Sequence, residues 1–217
     1  MRQVSIVFIF ILFLASNLML TAHSAIKGKI DYSIPIDYSK LSEDELNIEA
    51  NKYFHNAVLL KDGIVNEDMT NALTIYTILE NIDPDNVEYC AKLGILYDKL
   101  GKDRFAKGKF SKAICIDSKH PKPYYYFAKF YYKREMYRKA LKYYNEAYKC
   151  GFDKNYDLLY NVGDIHEKFG DTRSALKYFR DAEKISPNPE LEARIKKVEA
   201  QDTINYEYYS DTRLRKQ

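Results

Sequence analysis

Tryptophan is absent from the 217 residues, and Gly (8), Pro (6), His (4) and Cys (3) are all scarce. Few Gly and Pro mean few sharp turns, which suits helices with short connections, and no Gly-rich loop is present to cradle a phosphate. The His, at 23, 55, 120 and 166, are far apart, and none has a second His or Cys at metal-ligand spacing on a shared helix face. No nucleophile motif and no pair of carboxylates with a cleft to serve is visible, so the sequence argues against an enzyme and implies no cofactor and no metal. Three Cys, at 90, 115 and 150, leave at least one unpaired. Each falls on a helical position that can be buried, where Cys acts as a small hydrophobe, and a single disulfide among them is left open. Charge of one sign is also lacking: the net value is only +3, and no base-reading motif accompanies it, so nucleic acid is a weak expectation.

Long apolar runs are confined to the amino terminus. Arg2 precedes a stretch from Val4 to Ala15 that is apolar apart from Ser5, and Ala22-His23-Ser24 places small residues where a signal peptidase reads. This pattern predicts a signal peptide over residues 1–24 and an exported protein, periplasmic or secreted to a bacterial cell surface, with a eukaryotic secretory route left open. The alternative is an uncleaved membrane anchor over residues 4–22, because Leu18-Met19-Leu20 lengthens the apolar stretch. Residues 25–40 have Ser, Pro and alternating Ile and Tyr without a helical period, and read as a linker.

What is abundant is repetition. Ala106, Phe110 and Ala113 form a small, aromatic, small triplet that recurs 34 residues on at Ala140, Tyr144 and Ala147, and 35 further at Ala175, Phe179 and Ala182. One step of 34 back gives Ala72, Tyr76 and Leu79, with a single departure. A second set precedes each triplet: small residues at Gly94, Ala128 and Gly163, each followed three positions on by a ring, at Tyr97, Tyr131 and His166. Small side chains let two helix axes approach, and the neighbouring ring fills the space that remains. These residues, with Leu93-Gly94 and Tyr97, resemble the tetratricopeptide repeat (TPR) signature. The resemblance implies an all-α fold, a right-handed α-solenoid of about four TPR helical hairpins with a C-terminal capping helix. The hairpin units fall at residues 41–86, 87–120, 121–155 and 156–189, the cap at 190–201, and a polar, Tyr-rich mobile tail at 202–217.

Local signals refine this frame. Ser42-Glu43-Asp44-Glu45 is a capping box that starts the first helix. In unit one the spacing is best met with Ala57 at the small site, Leu60 in place of the ring and a turn three residues longer, with Asp62-Gly63 as a stop and Asn66-Glu67-Asp68 as a fresh start. The ungapped register would put Leu60 at the small site and Gly63 at the ring. Gly101 and Gly170 end the first helices of units two and four, whereas Arg134-Glu135 in unit three has no Gly there. Unit three also carries one extra residue around Gly151-Phe152. Leu191, Ile195 and Val198 give the cap one apolar stripe.

In proteins similar to this one, first helices line a concave groove that holds a peptide or a partner's helix. Mapping the groove onto this chain yields Asn51 and Phe54 from unit one, Ile95, Asp98 and Lys99 from unit two, Lys122, Tyr125, Lys129, Tyr132 and Lys133 from unit three, and Tyr160, Asp164, Glu167 and Lys168 from unit four. The chaperone-binding version of the family clamps a terminal carboxylate at positions that here hold Phe54, Val58, Lys92, Lys122 and Tyr126. Only Lys122 matches, which argues against that role. Acids dominate from Leu41 to Cys90 and bases from Lys119 to Lys149. The expectation is therefore a non-enzymatic scaffold binding a protein or peptide, acidic or mixed in character, with Tyr132 as the chief contact. The alternatives are a self-assembling subunit of an envelope complex, in which unit one of one copy meets unit three of another, and an accessory domain of an enzyme. Membrane contact is expected only through an uncleaved amino-terminal segment.

Overall fold

A computed structural model describes the backbone of residues 37–214 and the side chains of residues 37–203. The expected signal, and the linker up to residue 36, lie outside the described residues. From Tyr38 onward the chain forms one compact unit. After a single 3-10 turn at Tyr38–Lys40 come nine α-helices and, among the described residues, no strand: α1 (Glu43–Leu59), α2 (Glu67–Ile82), α3 (Val87–Lys99), α4 (Asp103–Ile116), α5 (Pro121–Tyr132), α6 (Tyr137–Ala147), α7 (Tyr156–Lys168), α8 (Thr172–Ile185) and α9 (Pro189–Leu214). Helices pack as the hairpins α1/α2, α3/α4, α5/α6 and α7/α8, with α9 laid on α8. The chain is an all-α solenoid of four helical hairpins.

Helix starts follow the local chemistry. Ser42 caps α1 through a complete box: its Oγ accepts from the Glu45 amide at 3.3 Å, and Glu45 Oε2 accepts from the Ser42 amide at 2.8 Å. Asn66, Asn86, Asn155 and Asn188 cap α2, α3, α7 and α9 by accepting amides at 2.8 to 3.3 Å. Pro121, with φ already set for a helix, takes the first turn of α5. Gly101 (φ 67°) and Gly170 (φ 77°) turn the chain between first and second helices; Glu135 holds the same place in unit three at φ 57°, a left-handed conformation unusual for a residue with a Cβ.

The core consists of the repeated small and aromatic residues. Ala106, Phe110, Ala113, Ala140, Tyr144, Ala147, Ala175, Phe179 and Ala182 are all buried. Gly94 faces Phe110 and Gly163 faces Phe179 so closely that a Cβ on either glycine would lie 2.6 Å from the ring. The Phe54 ring meets Tyr76 edge-on at 5.8 Å, and at the same place in the later units Tyr125 meets Tyr144 at 6.1 Å and Tyr160 meets Phe179 at 5.7 Å, both tilted. Each of these first-helix rings lies three residues before a small site, so Ala57 stands where Ala128 and Gly163 stand. Leu60 differs from the expectation: α1 ends at Leu59, and Leu60 is an extended cap residue, not a helical stand-in for the ring. The longer turn is held because the Gly63 amide donates to the Lys99 carbonyl at 2.6 Å.

The extra residue of unit three is absorbed by a π-type turn at Tyr148–Phe152, where Gly151 takes φ 94°. Leu191, Ile195 and Val198 are buried, as expected of a cap. α9, however, continues past Gln201 to Leu214, where the sequence suggested a tail. Residues 190–214 contain no Gly or Pro to stop the helix, and Thr172 Oγ1 donates to Asp202 just beyond the expected boundary. All three Cys are free; Cys90 is buried and Cys150 half-buried, but Cys115 is exposed, contrary to its expected burial.

Candidate protein-binding groove

The residues mapped to the groove lie on successive first helices, and their side chains reach across from one helix to the next. In unit one, Asn51 accepts from Tyr76 Oη at 2.8 Å and from Lys92 Nζ, while the Lys92 ammonium also lies 5.5 Å from the Phe54 ring centre. Burial lowers the Lys92 pKa, with Glu88 opposing that shift. In unit two, Asp98 accepts from Lys133 Nζ at 3.0 Å and from Arg134 Nη1 at 2.7 Å, and Lys99 pairs with Asp62 at 3.1 Å. Lys133 also reaches Asp62, at 2.7 Å, so one side chain of unit three ties units one and two. Burial pushes the Asp62 carboxyl up, but hydrogen bonds from Lys133 and Lys99 outweigh it and leave the pKa below the ordinary value. Ile95 is half-buried against the core.

Unit three contains the largest departure from expectation. Tyr125, read as a groove contact, is only 5% exposed: its ring packs against Tyr126, Tyr144 and Phe152, and its hydroxyl donates to Asp157 at 3.2 Å. It is a core residue whose hydroxyl bridges α5 to α7. Tyr132 is half-buried and donates to Asp164 Oδ2 at 2.6 Å, and burial together with that acceptor raises its pKa. Unit four departs in the same way. Asp164 is 4% exposed and cannot face a partner; it accepts from Tyr132 and from Arg194 of α9, with Lys168 at 3.7 Å. Arg194 also donates to Glu167 at 2.8 Å and to the Tyr160 hydroxyl, and its guanidinium lies 5.0 Å from the Tyr160 ring centre. The cap helix thus occupies much of the face that unit four was expected to offer.

What remains open is a depression of about 420 Å³ lined by Lys129, Tyr132, Lys133, Tyr156, Asp157, Tyr160 and Asn161. Four of these residues, Lys129, Tyr132, Lys133 and Tyr160, belong to the predicted groove. Of the five expected groove lysines, Lys99, Lys122, Lys133 and Lys168 each have a carboxylate within 4 Å. Lys129 has none among the described residues; its ammonium lies 5.4 Å from the Tyr125 ring centre and is otherwise uncommitted. The sequence reading missed Arg134 and Arg194, which organise the charged face. For Arg134 the available signal was its distance of 36 residues from Asp98, close to the repeat period. Among the described residues, no group of three or more His, Cys, Asp or Glu could hold a metal ion.

Residues 156–189, the hairpin α7/α8, match the family model of the tetratricopeptide repeat. The chain is 28% identical over 138 residues to the TPR repeat-containing protein MJ1428 of Methanocaldococcus jannaschii, covering 64% of this chain and 24% of that protein. It therefore spans about a quarter of the length of this curated relative. Among solved structures, a MamA protein superposes with a TM-score of 0.57 at 17% identity, covering 77% of this chain and 88% of its own. A structure of PilF of Pseudomonas aeruginosa gives 0.59 at 15% identity, covering 76% and 75%. At these identities the likeness is one of fold. Together with the four hairpins and their repeated small and aromatic contacts, it places this fold among the tetratricopeptide-repeat solenoids.

Proposed function

We propose that the chain is a non-enzymatic, exported scaffold that holds an extended acidic or mixed polypeptide against the first-helix face of units three and four. The observation that carries this reading is the depression of about 420 Å³, lined by Tyr132, Tyr156 and Tyr160 and by Lys129, whose ammonium no carboxylate among the described residues neutralises. Such rings give contact area at low entropy cost, and the ammonium gives an acidic residue its partner. A polypeptide from another protein fits better than a second copy, because the bases of unit three that would meet the acidic first unit of another copy, Lys122, Lys133 and Arg134, already pair with Glu88, Asp62 and Asp98 of the same chain. The export part of the reading rests on Arg2, the apolar run from Val4 to Ala15 and the small residues around His23.

The test is affinity capture from the envelope fraction with wild type, Lys129→Glu and Tyr156→Ala. The expected outcome is one partner retained by wild type and released more than tenfold faster from Tyr156→Ala, with slower association for Lys129→Glu. Equal retention by all three proteins refutes the groove assignment. Amino-terminal sequencing of the mature protein checks the export reading, since a chain that still begins at Met1 in the envelope denotes an anchor.

A further inference from the structure

Ten large apolar side chains are exposed among the described residues; Ile48, Ile82, Tyr148 and Ile185 lie elsewhere on the solenoid, and the other six share one kind of place. Leu59, Ile64 and Val65 flank the long turn of unit one, Phe105 opens α4, Met136 precedes α6 and Phe169 ends α7, with exposures from 39% to 73%. All six lie where a first helix hands over to a second. Successive turns of this kind touch one another: the Gly63 amide bonds the Lys99 carbonyl, Arg134 Nε donates to Asp103 at 2.9 Å, and the Tyr137 ring meets Phe169 edge-on at 6.5 Å. They therefore form one continuous edge of the solenoid, apolar along its length.

The charge on this edge is cationic. Lys61, Lys102, Arg104 and Arg138 are exposed and make no ion pair among the described residues; of the acids there, Asp62 and Asp103 are paired with Lys99 and Arg134, Asp171 shares a hydrogen bond with His166, and Glu135 is exposed without an ion pair among the described residues. Exposed aromatic and aliphatic side chains interleaved with unneutralised Lys and Arg match one kind of surface, a bilayer interface with anionic headgroups: the apolar groups enter the acyl boundary and the cations meet phosphate. The opposite edge, where second helices hand over to the next unit, also carries Tyr148 and Ile185, but at its unit-one end Ile82 adjoins the acids Asp83 and Asp85. We infer that the edge carrying Phe105, Met136 and Phe169 docks on an anionic lipid surface. No described helix is long and apolar enough to cross a membrane, so the contact is peripheral.

The absence of Trp makes this testable with single-Trp variants of the full chain: Phe105→Trp and Phe169→Trp on the edge, and Ile82→Trp at the far end of α2, about 24 Å from Val65 by helix rise. Each is mixed with vesicles of phosphatidylcholine alone or of phosphatidylcholine with phosphatidylglycerol. Emission at 105 and 169 is expected to move to shorter wavelength on the anionic vesicles only, and emission at 82 to stay in place. Adding Lys102→Gln and Arg104→Gln to Phe105→Trp is expected to raise the lipid concentration for half-maximal shift by roughly 30-fold, about fivefold per charge. Unchanged emission at 105 and 169 while the protein sediments with vesicles means that another segment binds, and overturns the inference. So do an equal shift at 82 and an unchanged midpoint in the charge variant.

Discussion

Replacing Gly94 with Ala adds one Cβ to the crossing of α3 and α4, and that atom falls 2.6 Å from Phe110 Cε1 and 2.7 Å from Cδ1. Phe110 is 1% exposed and is flanked by Phe127 and Phe130 at centroid distances of 5.5 and 6.2 Å, so the ring has no free space to enter. In an open helix interior the same substitution stabilises by about 1 kcal/mol through propensity. Overpacking of a closed crossing costs about 1–3 kcal/mol, which after the propensity gain leaves Gly94→Ala destabilised by up to about 2 kcal/mol and about 1–3 kcal/mol less stable than the same change in an open helix. Gly163→Ala meets Phe179 at 2.6 Å and is expected to behave alike. Gly108→Ala is the control: it lies within α4 with nothing within 4 Å of the added atom, and is expected to stabilise by about 1 kcal/mol. Ala128 occupies the corresponding site in unit three, so a methyl is admissible where the hairpin is built around it; the cost at Gly94 is that of forcing one into a crossing already closed. Urea titrations followed by far-UV circular dichroism, compared at constant slope, read all three variants. In a Phe110→Leu background the penalty at Gly94 should fall away, a coupling of about 1 kcal/mol or more. A midpoint for Gly94→Ala as high as that of Gly108→Ala, or a penalty unchanged by Phe110→Leu, refutes the steric account of the repeat.

Glu80 is 7% exposed and accepts from Lys112 at 3.0 Å and from Lys109; burial pushes its carboxyl up, but the two lysines outweigh it and the folded pKa lies below the ordinary 4.5. Its contribution is therefore complete above the unfolded value and is lost as pH falls through the folded one. Glu80→Gln should cost about 1–3 kcal/mol at neutral pH and should flatten the acid limb of stability against pH, whereas parallel curves for the two proteins would count against the charge account. Arg194→Met should leave Asp164 buried with only Tyr132 and a distant Lys168, costing about 2–4 kcal/mol and raising hydrogen exchange throughout α9. Unchanged exchange in α9 would show that the helix is held by Leu191, Ile195 and Val198 alone.

The hairpins were legible because their packing rule is a rule of residue size at fixed spacing, and a small residue facing a ring recurs four times with little noise. The turn of unit one was legible for a similar reason: Asp62-Gly63 and Asn66 are local signals that act without the rest of the fold. Tyr125 was not. Groove-facing and core-facing positions on a short helix differ by one residue, about 100° of rotation, and α5 has a Tyr at 124, 125, 126, 131 and 132. With nearly every face aromatic, periodicity could not tell which rings turn inward. The end of α9 was misread because its continuation has no apolar stripe, and a helix of this kind persists through its backbone and the lack of a breaker. Arg134 and Arg194 were missed because their reach across neighbouring helices depends on the crossing itself.

Those two arginines change what the uneven charge along the sequence means. Acidic residues early in the chain and basic residues in unit three suggested surfaces for partners, yet Asp62, Asp98 and Asp103 are met by Lys99, Lys133 and Arg134, and Asp164 and Glu167 by Arg194. Solenoid units pack chiefly on their neighbours, so ties across the first-helix face fix the curvature that adjacent hairpins would otherwise adjust. Lys133, bonded to both Asp62 and Asp98, couples three units at once. A groove held in this way is preorganised: it loses little conformational entropy on binding, and its contacts with a partner come from the rings around Lys129 more than from long-range attraction. The affinity of the groove for its polypeptide should accordingly depend only weakly on salt. Docking of the cationic edge on anionic lipid, where Lys61, Lys102, Arg104 and Arg138 are unpaired among the described residues, should weaken steeply as salt rises. The two surfaces can therefore be separated in one preparation by ionic strength alone.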